Sequence, residues 1–315
     1  MNLTLDRQTC WLVGGVLILL VISSLIGWVL SLRISHERGK ATVQNLNARI
    51  RAWWMMVAVF GLAMATGGIG SIVLFALTSF LALREFITLT PTRLGDHRAL
   101  FWIFFIILPL QYYLIAVKWY GLFSILIPVY AFLFIPLRSA IAGDCGNFLE
   151  RTAKIQWALM LCVYCVSYVP ALLALNIEGY AGQNGKLMFY FVLVAQISDV
   201  LQYVWGKTLG CHPIAPTVSP NKTWEGFIGG IFSATLIGAG LWWATPFSPI
   251  QSAGMALVIT LMGFAGGLVM SAIKRDRGVK DYGSMIEGHG GIMDRIDSLC
   301  FAAPVFFHLT RFYFT

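Results

Sequence analysis

Residues 11–32 read WLVGGVLILLVISSLIGWVLSL, without a single charge. About 20 apolar residues carry a helix across the hydrocarbon of a bilayer, so this run is long enough to span one. It is too long for the core of a secretory leader, and no small-residue cleavage site follows it, so it reads as a retained span. The rest of the chain repeats the pattern. Apolar runs recur at roughly 53–67, 69–87, 99–117, 120–137, 155–175, 187–205, 226–245, 251–272 and 298–314. The second and third spans share one run, broken at Gly67–Gly68. The expectation is an all-α polytopic integral membrane protein with about ten transmembrane helices.

Composition agrees. Of 315 residues, 58% are hydrophobic and only 11% charged, with a mean hydropathy of +0.76. A soluble domain carries about 25% charged residues, so lipid must cover much of this surface. The net charge of +8 is not spread evenly. Alternate loops at 33–52, 84–98, 138–154, 206–225 and 273–297 hold 18 of the 22 Lys and Arg residues; Arg7, Lys118, Lys186 and Arg311 fall on the other side. Lys and Arg stay on the cytoplasmic side, which predicts that those five loops face the cytoplasm and both termini face away. The basic balance therefore reads as topology and contact with anionic lipid or phosphate, not as nucleic-acid binding. The six Cys show no metal-ligand spacing, and the Cys162–Cys165 pair lies inside an apolar run as packing residues.

Two of the predicted cytoplasmic loops look unlike connectors. Residues 271–298 read SAIKRDRGVKDYGSMIEGHGGIMDRIDS. Lys274, Arg275 and Lys280 can neutralise a polyphosphate. Gly288, Gly290 and Gly291 flank His289, and glycines let backbone amides cradle an anion. Asp294 and Asp297 are three apart and share one helical face at the mouth of the last span. With Asp281 they offer the oxygen ligands that suit Mg²⁺, which takes one or two carboxylates plus substrate phosphates. Asp199, between Ile197 and Val200, is an acid inside a span, and such a costly residue marks a site. Tyr203 and Lys207 continue its face. Ser219, Lys222 and Thr223 precede the eighth span, where a hydroxyl and free amides form an anion site or a simple helix cap with Glu225.

At these residues the chain resembles a known family. The pattern S-x-x-K-R-x4-K-D (Ser271, Lys274, Arg275, Lys280, Asp281), followed by H-G-G-x-x-D-R-x-D (His289, Gly290, Gly291, Asp294, Arg295, Asp297), is similar to the signature of phosphatidate cytidylyltransferases. The stretch from Lys207 through Gly230, with S-P-x-K-T-W-E-G-x-x-G-G starting at Ser219, resembles the same family. The resemblance covers about residues 195–300. It implies cytidylyl transfer from CTP to phosphatidate, giving CDP-diacylglycerol and pyrophosphate in phospholipid biosynthesis. It implies Asp281, Asp294, Asp297 and Lys280 as catalytic residues, and Lys207, Ser219, Lys222, Lys274, Arg275, His289, Gly290, Gly291 and Arg295 as substrate-binding residues. Asp294, Asp297, Asp281 and Asp199 would hold Mg²⁺, with room for a second, monovalent cation. CTP, phosphatidate and membrane lipids are the implied partners, with a homodimer allowed and no nucleic acid.

The chain departs from the pattern in two places. Members often carry an Asp where this sequence has Gly267, within Gly266–Gly267–Leu268, and Glu287 stands where Pro or Gly is usual. The first departure keeps open a catalytically impaired member that binds lipid or a partner. A CTP-dependent lipid-alcohol kinase shares the substrate logic, and a transporter is the generic alternative for ten spans. Residues 1–52 read as an extra N-terminal helix with a basic loop, and 53–315 as the cytidylyltransferase-like membrane domain. A multi-pass protein of a bacterial inner membrane, with its active-site loops on the cytoplasmic face, is the expected location.

Overall fold

The computed structural model describes residues 6–33, 37–285 and 290–315, without the side chains of Glu37 and Arg38. Ten long helices run through it, in the order of the ten apolar runs. They are α1 (Arg7–Arg33), α2 (Glu37–Ala65), α3 (Gly67–Thr88), α4 (Leu94–Ala116), α5 (Tyr120–Ile141), α6 (Phe148–Ala174), α7 (Asn184–Leu209), α8 (Trp224–Gly240), α9 (Pro249–Asp276) and α10 (Met293–Phe314). Eight are long and apolar enough to cross a membrane. The other two are α8, which is 17 residues long, and α10, which carries Asp294, Arg295, Asp297 and Arg311. The chain is thus an all-α polytopic membrane protein. A two-stranded antiparallel hairpin, β1 (Pro213–Ala215) and β2 (Ser219–Thr223), joins α7 to α8.

The break expected at Gly67–Gly68 is real. Gly67 has φ +84°, a left-handed conformation that glycine adopts without steric cost, and it ends α2. The loop expected over 33–52 is not a loop. Helix α2 begins at Glu37 and carries Lys40, Arg49 and Arg51 on its first four turns. Its polar residues can stay helical because α1 pairs with it antiparallel, with Trp54 Nε1 donating to Ser24 Oγ at 3.1 Å.

Proline leaves a second trace. Pro136 lies inside α5 and has no N–H for the carbonyl of Phe132, four residues earlier. Gln156 Nε2 on α6 donates to that carbonyl at 2.9 Å, so a helix defect becomes a cross-link. Packing around the future site is closest between α7 and α8. A Cβ added to Gly230 would lie 2.6 Å from Gln202 Cα, so only glycine permits this backbone approach.

One buried ion pair ties α4 to α6. Arg151 donates to both carboxylate oxygens of Asp96, at 2.9 Å from Nη2 and 3.0 Å from Nε. Their side chains are only 6% and 2% exposed. Removing Asp96 leaves the buried Arg151 only the more exposed Asp144, at 3.1 Å, a loss that approaches about 3–5 kcal/mol, the cost of a stranded buried charge. Asp96→Ala is therefore expected to lower the thermal unfolding midpoint in detergent sharply. A midpoint within a degree or two of the parent would show that the pair is dispensable.

The loops at one end of the bundle are bound to each other. Arg93 pairs with Asp144 at 3.1 Å, and Arg275 Nε donates to Val218 O at 3.2 Å. The connections at 89–93 and 142–147 are thereby joined, as are the end of α9 and the turn of the β-hairpin.

Candidate active site

The site is organised around the first turn of α10. Four backbone N–H groups at any helix start lack partners within the helix. Here Glu85, reaching across from α3, accepts from Ile292 N and Met293 N, both at 2.9 Å. A carboxylate at this position also offsets the positive end of the helix dipole. Glu85 lies in the third apolar run. The sequence reading missed it, although the cost argument that picked out Asp199 applies equally to any acid in a span. Glu85→Ala is expected to leave those two amides open, weakening the helix start by about 1 kcal/mol. Hydrogen exchange at Ile292 and Met293 should then quicken while amides deeper in α10 do not change.

Asp294 comes next. Its Oδ1 accepts from Lys274 Nζ of α9 at 2.8 Å. Its Oδ2 accepts from Tyr282 N at 2.8 Å and Gly291 N at 3.0 Å. The side chain is buried. Three of the roughly four acceptor positions of the carboxylate are used, and they hold Tyr282 and Gly291 against the start of α10. Gly290 is required in that arrangement. It has φ +81°, and a Cβ there would lie 2.8 Å from Asp294 Oδ2 and 3.1 Å from Asp281 Cβ. Tyr282 donates its hydroxyl to Met270 O at 3.2 Å, and burial pushes that phenol well above its usual range.

One turn further along α10, Asp297 faces a different set of groups. Asp199 of α7, Lys222 of β2 and Arg295 are its electrostatic neighbours, and Lys274 is within reach of the same cluster. Asp297 Oδ1 accepts from Ser298 N at 2.8 Å; Oδ2 takes no hydrogen bond among the described residues. Asp199 is exposed on α7. Lys222 Nζ lies 4.6 Å from the centre of the Phe264 ring. Burial pulls the Lys222 ammonium below its ordinary range, opposed by the carboxylates of Asp297 and Asp199. Position 267 opens onto this same cluster: a Cβ there would lie 2.8 Å from Lys222 Nζ and 3.9 Å from Asp297 Oδ2.

The expected residues thus divide. Lys222, Lys274, Asp199, Arg295 and Asp297 converge, and Asp294 holds Lys274. Gly290 and Gly291 shape the turn that presents Asp294. Arg275 is exposed and braces the β-hairpin and Val279 through its guanidinium. Ser219 opens β2, half-buried. Lys207 is exposed about two turns beyond Asp199 on α7. Lys280 and Asp281 are exposed on the 277–285 segment and make no ion pair among the described residues. His289, Gly288 and Glu287 lie outside the described residues. Thr223 is a helix cap, accepting from Gly226 N at 3.2 Å. Glu225 instead accepts from Cys211 N and His212 N, at 3.1 and 3.2 Å.

The four carboxylates expected to share one cation do not gather. Among the described residues no three His, Cys, Asp or Glu side chains converge as a metal site. Asp294 is committed to Lys274 and two amides, and Asp281 points from the surface. The residues that could hold Mg²⁺ are Asp199 and Asp297, whose Oδ2 takes no hydrogen bond among the described residues. That is the usual donor set of an ion that binds one or two carboxylates and fills its shell with phosphate oxygens and water.

Residues 47–313 match the model of the cytidylyltransferase family. The chain is 38% identical to the uncharacterized protein YnbB of Escherichia coli K12, over 93% of this chain and 95% of that protein. It is 40% identical to a phosphatidate cytidylyltransferase of Staphylococcus aureus over 38% of this chain, spanning 46% of that enzyme. A phosphatidate cytidylyltransferase of Mycobacterium bovis is 36% identical over 49% of each chain.

Proposed function

The chain belongs to the cytidylyltransferase family, and from that premise we propose that it transfers the cytidylyl group of CTP to phosphatidate, with the site on the cytoplasmic face of a bacterial inner membrane. The observation that carries this reading is the juxtaposition of Lys222, Lys274 and Arg295 with Asp199, Asp294 and Asp297 at one end of a membrane bundle. Such a site receives a polyanion from water and a lipid from the bilayer.

In the reaction an oxygen of the lipid phosphate attacks the α-phosphorus of CTP. The new P–O bond forms as the bond to the bridging oxygen of the β-phosphate breaks, and pyrophosphate leaves with that electron pair. Little covalent work falls to the protein in such transfers; positioning and charge stabilisation do most of it. Lys222 and Arg295 neutralise phosphate oxygens. Lys274, held by Asp294, stands at the edge of the same cluster. Asp199 and Asp297 would hold Mg²⁺, which when bound would supply positive charge to offset that developing on the leaving group.

A second reading rests on Gly267. That position opens onto Lys222 and Asp297 without contributing a carboxylate, as expected of a member that binds its ligands and does not turn them over. One assay separates the two. Purified protein given labelled CTP, phosphatidate and Mg²⁺ should put label into lipid and release one pyrophosphate per lipid formed. Release of CDP without pyrophosphate would identify a kinase. No product at all, with CTP still bound, would establish the impaired reading.

A further inference from the structure

A second set of cations lies at the other end of the bundle. Arg311 is on α10, 17 residues beyond Asp294, which places it about 25 Å away along the helix axis. Lys118 sits in the turn between α4 and α5. The two line a cavity of about 340 Å³ whose walls include Tyr120, Phe123, Leu175 and Phe307. The Arg311 guanidinium stacks 3.4 Å from the centre of the Tyr120 ring, and Tyr120 in turn stacks on Phe307. This holds the guanidinium face in place and leaves its N–H edge available.

Three observations make this more than a basic rim. No acidic side chain lines the cavity. Among the described residues, the acids at this end of the bundle are Asp6 and Glu178, and Asp6 is bound to Lys186. Lys118 and Arg311 are also exceptions to the charge asymmetry that otherwise orients the chain, so topology does not account for them. Finally, Lys118 has φ +58° just past the end of α4, where glycine would be favoured. A lysine is kept there at a local cost.

We infer that this cavity binds the headgroup of an anionic glycerophospholipid from the leaflet opposite the carboxylate cluster. The phosphate would lie between Lys118 and Arg311, as anionic headgroups do in basic pockets between membrane helices. The apolar wall of Phe123, Leu175 and Phe307 takes the start of an acyl chain. A soluble anion would use the two cations and leave that wall uncovered. The site needs neither CTP nor turnover, so it stands apart from the reaction proposed above.

The test uses the full chain in phosphatidylcholine bilayers with and without phosphatidylglycerol, followed by native mass spectrometry of the lipid retained. The parent should hold phosphatidylglycerol in preference to phosphatidylcholine. The pair Lys118→Gln with Arg311→Gln should lose about tenfold or more of that preference. Arg311→Lys, which keeps the charge, and Arg7→Gln, at the same end but outside the cavity, should preserve it. If the double variant does not fold, Lys118→Gln alone, in an exposed turn, carries the test. Unchanged retention in the folded double variant would overturn the inference. So would equal retention of the two lipids by the parent, or equal thermal protection by inorganic phosphate alone.

Discussion

Asp297→Asn is expected to lower CTP-dependent label transfer to lipid by about 10²- to 10³-fold, the usual cost of removing one preorganised charge stabiliser from a transition state. Folding should hardly respond. Asp297 makes one hydrogen bond, to the adjacent Ser298 N at 2.8 Å, and an asparagine oxygen can accept it equally well. Its carboxylate stands among Lys222, Lys274 and Arg295, with Asp199 as a like-charged neighbour. Neutralising it removes a repulsion as well as attractions, so the net effect on stability falls within about 1 kcal/mol. The result to look for is a protein with the parent's unfolding midpoint, CTP binding weakened in its Mg²⁺ dependence, and almost no turnover. Near-parental turnover would remove Asp297 from the reaction and with it the proposed cation pair.

The contrast between what was legible and what was not follows from the range of each interaction. The ten helices are legible in the sequence because the cost of putting a charge into hydrocarbon acts on every residue of an apolar run. Asp199 was legible for the same reason. Glu85 carried the same signal, but it sits at the end of a run whose apolar character dominated. Its partners, Ile292 N and Met293 N, are more than 200 positions away, and no local pattern announces such a bond. The helical start of α2 escaped because residues 37–52 are polar; their helicity depends on the neighbouring α1. In the 271–298 segment the motif names residue types but cannot assign direction. Asp281 and Asp294 both look like metal ligands by type. Only the fold shows one on the surface and the other holding Lys274.

That difference yields the second large effect. Asp294→Asn should abolish turnover and destabilise the fold together. The two amides that converge on Oδ2 can still bond an amide oxygen if the side chain keeps its orientation, but Nδ2 would then face Lys274 Nζ in place of Oδ1. A donor would meet a donor, and a largely buried ammonium would lose its counterion, a change worth about 3–5 kcal/mol. If the amide flips to restore a bond to Lys274, Tyr282 N and Gly291 N are stranded and both residues loosen from α10. Either route moves Lys274 away from the phosphates, so loss of activity should come with a lower unfolding midpoint and faster hydrogen exchange at Tyr282 and Gly291. Lys274→Met with Asp294→Asn tests the attribution, since removing the ammonium removes the donor clash. The double variant should recover most of the lost stability and none of the activity. A single Asp294→Asn variant as stable as the parent would mean that Asp294 does not organise this end of the bundle, and the division of labour between the two aspartates would fall with it.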